Sequence, residues 1–365
     1  MPLTLDMLDT PVMLVELGAM ERNIARFMAP FRGGPVSVRP HLKTLKSPEL
    51  ARWLLDAGAR GVCVAKLSEA EVMLAGGIDD ILITTELAGA PKLARLVALL
   101  GAYPRARLQL VVDGVDGAGA LAEALSRAGL RARVLLDVDV GQRRCGVLPG
   151  EPARALARHI AGLPALELCG VQGYEGHLQQ LGDTAARESL CREAMALLVA
   201  TAAELRADGH DMSTVTTGGT GTAPICRSCP GVTEVQPGSF VFMDASYSRC
   251  VGVEHELALT LLSTVISRPR ANEAVVDAGL KTLSTDSGPA ELKGWPGLSY
   301  RPAGDEHGIL SWAPGHRGPE PRVGERVELV PSHIDTTVNL HDDYWLVRGG
   351  VVEGRCAVSA RGKVQ

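Results

Sequence analysis

Along the first two-thirds of the chain, short apolar runs rich in Val, Leu and Ile alternate with stretches whose apolar residues recur at helical spacing. The runs are VSV at 36–38, GVCVA at 61–65, DILITTE at 80–86, RLQLVVD at 107–113, RVLLDVDVG at 133–141, CGVQGYEG at 169–176, TVTTGG at 214–219 and EVQPGSFVFMD at 234–244. Runs of this kind predict buried strands. Between them, Ser47 with Pro48 marks a helix start. Leu50, Trp53, Leu54 and Ala57 then share one face, and Gly58 stops the helix. Ser68-x-x-Glu71 has the form of a capping box ahead of a second helix. Leu93, Leu96, Val97 and Leu100 space a third, and 184–209 reads as one long helix.

Eight such strands alternating with helices predict an α/β fold, a parallel sheet closed into an N-terminal (β/α)8 TIM-type barrel. An open doubly wound sheet is the alternative, but no G-x-G-x-x-G follows the first strand. After Asp244 the helical periodicity fades, and Pro, Gly and β-branched residues rise. LALTLLSTVISR, EAVVDAGLK, GERVELVP and DYWLVRGGVVEGRCAV read as strands with turns, which predicts a C-terminal, mostly-β domain. The expected division is a barrel over 15–245 and a β domain of 1–14 plus 246–365. The strand PVMLVEL, Pro11 to Leu17, precedes the barrel and is a candidate for pairing with it.

Composition narrows the function. A chain of 365 residues, 46% hydrophobic, has ample material for a large core. A formal net charge of -5 favours neither nucleic acid nor anionic membrane as a partner. The first ten residues show no basic segment followed by an apolar one, so no signal peptide is expected, and no apolar run is long enough to span a bilayer. Eight dispersed cysteines suit the cytoplasm, and the lone CxxC of Cys226 and Cys229 is a weak sign of metal or redox chemistry.

Three places carry candidate chemistry. Lys43 follows the first barrel strand, and active sites of such barrels lie at the C-terminal strand ends. A lysine in a loop is usually a solvated surface residue. Here Arg39, His41 and Lys46 crowd positive charge around it, which would lower its pKa and leave an amine able to form a Schiff base. TTGGTGT, Thr216 to Thr222, is either a simple flexible turn or a phosphate cradle of backbone N–H and hydroxyl donors. Lysine and cradle together suggest pyridoxal 5'-phosphate. His333 and Asp335 stand two apart on an expected strand, where they would share a face and bind one divalent cation. A hydrogen-bonded histidine beside a surface aspartate is the plain alternative.

RPHLKTLK, DVDVGQRRCGV, TTGGTGT, EVQPGSFVFMD, VDAGLKT, DEHG and PSHIDTTVNLHD, in that order and across nearly the whole chain, resemble the D-threonine aldolase and D-serine dehydratase family. These are pyridoxal-phosphate enzymes of the alanine-racemase fold type. The resemblance implies a barrel, a β domain and a homodimer. It implies that Lys43 carries the cofactor, that Arg144 sits beside its ring oxygen, and that Tyr174 is an active-site tyrosine near it. It assigns the phosphate to Gly219, Thr220, Gly221 and Thr222, with Gly238 and Ser239 as a further loop, and the metal to His333 and Asp335. The His-x-Asp pair is similar to the aldolases, whereas the dehydratases have His-x-Cys. A carboxylate suits Mn2+ or Mg2+ better than a thiolate, which suits Zn2+.

Two residues depart from the aldolase pattern: Glu175 stands where a histidine is expected, with His177 two residues on, and Phe240 replaces a common tyrosine. The implied activity is cleavage of D-β-hydroxy-α-amino acids of the D-threonine type to glycine and an aldehyde, with Lys43, His333 and Tyr174 as catalytic residues. A dehydratase acting on D-serine, D-threonine or 3-hydroxyaspartate is the alternative. A racemase or a non-catalytic cofactor carrier is a minor one.

Overall fold

The structure, a computed structural model, describes residues 2–251 and 254–365. The chain divides into two compact units. One comprises the residues up to Phe27, Thr44–Ser47 and Ser239–Gly362; the other comprises Met28–Lys43, Pro48–Gly238 and Lys363–Gln365. Relative to the division expected at 15–245, most of the first helix and residues 239–245 fall with the β unit.

The chain opens with β1 (Val12–Glu16) and α1 (Leu17–Met28). The barrel unit then runs β2 (Ser37–Val38), α2 (Pro48–Asp56), β3 (Val62–Val64), α3 (Leu67–Ala75), β4 (Asp80–Ile83), α4 (Ala90–Ala102), β5 (Arg107–Val112) and α5 (Val115–Arg127). It continues through β6 (Ala132–Asp137), α6 (Glu151–Ala161), β7 (Leu166–Gln172), α7 (Thr184–Ala207), β8 (Thr214–Thr217), α8 (Ala223–Arg227) and β9 (Glu234–Val235). All eight expected strands are present, in the parallel order β2-β9-β8-β7-β6-β5-β4-β3. The ends of this sheet meet: Arg60 N–H donates to Val38 O, Cys63 N–H to Pro40 O and Leu42 N–H to Cys63 O, at 2.8–2.9 Å. The run at 234–244 is a strand only over Glu234–Val235; Pro237 has no N–H to extend it, and a 3-10 turn follows at Ser239–Val241.

Strand alternation layers the barrel interior. Cys63, Leu82, Val111, Leu135 and Cys169 form a closed apolar layer. Two residues further along their strands, Thr84 and Asp137 point the same way as Leu82 and Leu135 and begin a polar layer at the C-terminal ends. At the opposite ends, Arg39 is a buried ion-pair centre. Its Nη1 donates to Asp80 Oδ1 (2.6 Å), and its Nε lies 3.0 Å from Glu234 Oε2 as an ion pair rather than an aligned hydrogen bond. Asp80 and Glu234 are the first residues of β4 and β9, so this charge is neutralised at the N-terminal rim and is not part of a cationic cluster around Lys43.

The helices follow their signals with one shift. α2 begins at Pro48, and α7 is capped by Asp183, which accepts from Ala185 and Ala186 N–H. The capping carboxylate of α3 is Glu69, not Glu71: it accepts from Ala65 and Lys66 N–H, while Glu71 pairs with Arg95. The chain turns into this helix two residues earlier than the Ser68 signal implies, and the Ser68 hydroxyl donates to Gln365 O.

The second unit is antiparallel except where β1 enters. Its remaining elements are α9 (Ala245–Val251), β10 (Leu259–Arg270), β11 (Glu273–Val276), β12 (Glu291–Lys293), β13 (Leu298–Pro302), β14 (Gly308–Trp312), β15 (Arg326–Val330), α10 (Ile334–Val338), β16 (Asp343–Arg348) and β17 (Val351–Ala357). β1 pairs antiparallel with β10 and parallel with β16, so it belongs to this sheet rather than to the barrel. Its three central residues, Met13, Leu14 and Val15, are all buried, as a central strand requires. Gly349 and Gly350, both at positive φ (57° and 81°), turn β16 into β17. Leu261, Val265, Val276, Tyr300, Leu310 and Leu329 pack into the core of this unit.

Replacing Arg39 with Met leaves Glu234, 1% exposed, without its counter-charge. Urea unfolding should show a loss of about 3–5 kcal/mol. A loss below about 1 kcal/mol would show that the carboxylates find other partners.

Candidate active site

The mouth of the barrel is built from the polar layer. Gln172 Nε2 donates to Asp137 Oδ1 (2.9 Å), Gln236 Nε2 donates to Gln172 Oε1 (3.2 Å) and to Thr216 Oγ1 (2.9 Å), and all four residues are buried. These side chains follow or end β6, β7, β8 and β9, so each finds its partner on a neighbouring strand. Asp137 titrates abnormally. Burial pushes its carboxyl up to about 8, against the hydrogen bond from Gln172, and the adjacent Glu86 carboxylate adds to the rise. Asp137 therefore holds its proton through neutral pH.

Lys43 is half-buried on the loop after β2. Its backbone N–H donates to His41 Nδ1 (3.3 Å), and His41 Nε2 lies 3.0 Å from Thr84 Oγ1 at the end of β4. A ring accepting at Nδ1 is neutral, with its proton on Nε2. With Arg39 paired elsewhere, two of the three positive neighbours expected around Lys43 do not act as such. The position is fixed by hydrogen bonds instead.

Asp137, Gln142, Arg144, Cys145 and Tyr174 line a small recess at this mouth. The Arg144 guanidinium stands 5.7 Å from the centre of the Tyr174 ring, within cation–π reach. His177 is exposed and packs by Gly141, whose φ of +117° requires glycine.

The turn after β8 is tightly held. Gly219 N–H donates to Thr222 Oγ1 (3.1 Å), and Gly221 N–H donates to Gln179 Oε1 (2.9 Å). The Thr222 hydroxyl donates to Glu175 Oε1, so this hydroxyl and these two N–H groups are engaged within the protein. A side chain at Gly219 or Gly221 would strike Gln179, with nearest approaches of 2.6 and 2.4 Å. Thr220 at the tip is buried, as is Ser239, whose carbonyl accepts from Met243 N–H (2.7 Å); Gly238 is half-buried. A polar layer on an apolar floor, a fixed lysine, an arginine and a turn whose glycines leave no room for a side chain fit an anionic, aromatic aldehyde such as pyridoxal 5'-phosphate.

The two departures are explained by their burial. Glu175 is fully buried, with its carboxylate turned into the protein, and Phe240 stacks on Phe27 at a centroid distance of 4.0 Å.

His333 and Asp335 lie in the β unit, but not on a strand: His333 caps α10, and Asp335 is in its first turn. The Asp244 carboxylate accepts from Tyr247 and Ile334 N–H, which anchors the helix start; burial pushes its pKa up to about 6 against those two bonds. His333 Nδ1 lies 2.6 Å from Asp286 Oδ2, and Asp335 Oδ1 accepts from Thr44 Oγ1 (2.7 Å). Asp286 also accepts from Ser284 and Thr336 hydroxyls. Burial works against its charge, but these bonds outweigh it and hold its carboxyl down to about 2. An imidazole oriented by a carboxylate on one nitrogen is the usual second layer of a metal-binding histidine, so these residues fit a divalent cation. Sequence reading missed Asp286: it lies 47 residues before His333, in a Ser/Thr-rich loop with no periodic signal.

Among the described residues, two other groups of potential ligands lie close together, Glu175–Cys191–Cys226 and Glu86–Asp113–Cys145. In the first, the Cys226 sulfur is 3.6 Å from Cys191 rather than paired with Cys229, and the carboxylate already accepts several hydrogen bonds.

Residues 15–246 match the alanine racemase N-terminal domain, and 258–347 match a putative serine dehydratase domain. The sequence is 39% identical to a D-threonine aldolase of Arthrobacter sp over 358 residues, 97% of this chain and 93% of that one. It is 34% identical to the D-threo-3-hydroxyaspartate dehydratase of a Delftia species over 360 residues, 92% of this chain and 93% of that one. The crystal structure of D-threonine aldolase from Filomicrobium marinum matches with a TM-score of 0.94 at 37% identity, covering 100% of this chain and 99% of that one.

Two measurements check this geometry. Asp286→Asn should weaken Mn2+ binding, measured by calorimetry, by about 10–100-fold. An unchanged affinity would detach Asp286 from the metal pair. Asp137→Asn keeps an acceptor for Gln172 but removes the titration. A native pKa above the unfolded value of about 3.9 means the folded wild type binds the extra proton, so its stability falls as pH rises through that window. The melting temperature of the variant relative to wild type should therefore climb between pH 5 and about 8 and then level off. A pH-independent difference would remove the proton from this pair.

Proposed function

Because the chain belongs to the family that joins an alanine racemase N-terminal domain to a serine dehydratase domain, we propose that it is a lyase that cleaves D-β-hydroxy-α-amino acids of the D-threonine type to glycine and an aldehyde. Its cofactors on this reading are pyridoxal 5'-phosphate, attached through Lys43, and a divalent cation, Mn2+ or Mg2+, held by His333 and Asp335. The observation that carries the reading is the donor pair itself, a hard carboxylate two residues from an imidazole oriented by Asp286. The 39% identity to a D-threonine aldolase over 97% of the chain supports the same choice.

In the reaction the Cα–Cβ bond breaks, the β-hydroxyl loses its proton to become the carbonyl of the aldehyde, and Cα gains a proton to give glycine. Bound pyridoxal phosphate supplies the electron sink for the pair left on Cα. His333, fixed through Nδ1 by Asp286, would hold a divalent cation through Nε2 together with the Asp335 carboxylate. A cation there would supply polarisation of the β-hydroxyl oxygen. Arg144 and Tyr174 line the recess at the mouth and would orient the planar cofactor there. Gly219, Thr220, Gly221 and Thr222, with Gly238 and Ser239, are assigned to the phosphate.

Dehydration of the same substrate class is the second reading, favoured by the 34% identity to a hydroxyaspartate dehydratase. Asp335, in place of a cysteine, weighs against it. The buried faces of Glu175 and Phe240 remove both departures from the surface that a substrate could touch. Eight dispersed cysteines suit a reducing cytoplasm, and the homodimer is the assembly that the family resemblance implies.

Purified protein with pyridoxal phosphate, Mn2+ and D-threonine should release acetaldehyde and glycine. A 2-oxo acid with ammonia would move the assignment to the dehydratase. Lys43→Ala should be colourless beside a yellow, borohydride-reducible parent; a colourless parent would end the proposal.

A further inference from the structure

Glu175 is a fully buried carboxylate that the proposed reaction does not use, at a position where the family pattern has a histidine. It lies on the chain leaving β7, next to Tyr174, yet the two side chains diverge. Tyr174 lines the mouth, whereas Glu175 is 0% exposed. Its Oε2 accepts from the Thr217 hydroxyl (3.0 Å). Its Oε1 accepts from the Thr222 hydroxyl and from Gln179 Nε2 (3.1 Å). Gln179 completes the network: its Nε2 also reaches Thr222 Oγ1 (2.8 Å), and its Oε1 accepts from Gly221 N–H (2.9 Å).

Thr217 and Thr222 are the two ends of the glycine turn, and one carboxylate holds both. Between them only Gly218, Gly219, Thr220 and Gly221 remain to shape, and Gly221 is pinned by Gln179. Gly218, at φ +77°, takes the left-handed step that turns the strand into this tip. A buried carboxylate is tolerable here because each oxygen receives donors from the turn.

We infer that Glu175 is a positioning residue that clamps the ends of the glycine turn and thereby sets the turn's affinity for the phosphate group of the cofactor. This rests on the reading of pyridoxal phosphate at the barrel mouth. A glutamine at 175 keeps the volume but replaces one acceptor oxygen with a donor. That donor would confront Thr222 Oγ1, which already accepts from Gly219 N–H and Gln179 Nε2. The clamp then opens on one side while the backbone and the apolar layer stay in place.

The test compares two probes, pyridoxal 5'-phosphate and phosphate-free pyridoxal, titrated by absorbance into apo-protein that is wild type, Glu175→Gln or Thr217→Val. Thr217→Val is isosteric and removes a single arm of the clamp, so it serves if Glu175→Gln fails to fold. The expected result is pyridoxal-phosphate affinity weakened by about tenfold or more in the variants, as loss of a charged hydrogen bond predicts, with pyridoxal affinity unchanged within about twofold. Equal weakening of both probes would make Glu175 a general structural residue and overturn the inference, as would no change in either. If wild type binds neither probe, the cofactor reading itself has failed, an outcome distinct from these two.

Discussion

A side chain that points into a closed parallel barrel beyond its apolar layer has no water to satisfy it and must find its partner on another strand. That constraint organises the whole mouth. Asp137, Gln172, Gln236 and Thr216 pass hydrogen bonds from β6 to β9, and His41 reaches across to Thr84. The result is a polar platform on a floor of Leu82, Val111 and Leu135. Lys43 gains a fixed backbone from the same network. The platform is also where an unusual protonation state arises, because burial disfavours the Asp137 carboxylate and the neighbouring Glu86 charge adds to that.

The same logic separates the two ends of the barrel. Arg39, only four residues before Lys43, serves the N-terminal rim by neutralising Asp80 and Glu234. A single short segment of chain thus supplies a buried ion-pair centre for one rim and the candidate lysine for the other, the division of labour usual in such barrels. The charge count around a residue in the sequence is therefore a poor guide to its electrostatics: what matters is which end of the strand each neighbour faces.

In the β unit, the candidate metal residues depend on a second layer of carboxylates. Asp244 anchors the start of the helix that follows His333 and carries Asp335, and Asp286 orients the imidazole. These two aspartates do different work and titrate in opposite directions. Asp244 is buried with only backbone donors, so its acid form gains. Asp286 is wetter, with two hydroxyls and an imidazole on it, so its charge is favoured. Glu175 plays the matching part in the barrel unit, where a buried carboxylate gathers the hydroxyls that shape a turn.

Alternation of apolar runs with helical stretches was enough to predict the eight parallel strands and their helices, because strand and helix periods are local properties of the chain. The candidate site residues also carry local signals, Lys43 by its place after a strand and the glycine turn by its composition. The place of β1, the capping role of Glu69 and the helix under His333 and Asp335 were not legible. Nor was the inward face of Glu175, the pairing of Arg39 or the part played by Asp286. Apart from the Glu69 cap, whose partners Ala65 and Lys66 are local, each is settled by a partner outside the local pattern, Leu262 for Val12, Asp286 for His333 and Glu234 for Arg39, and only the folded chain brings such groups together.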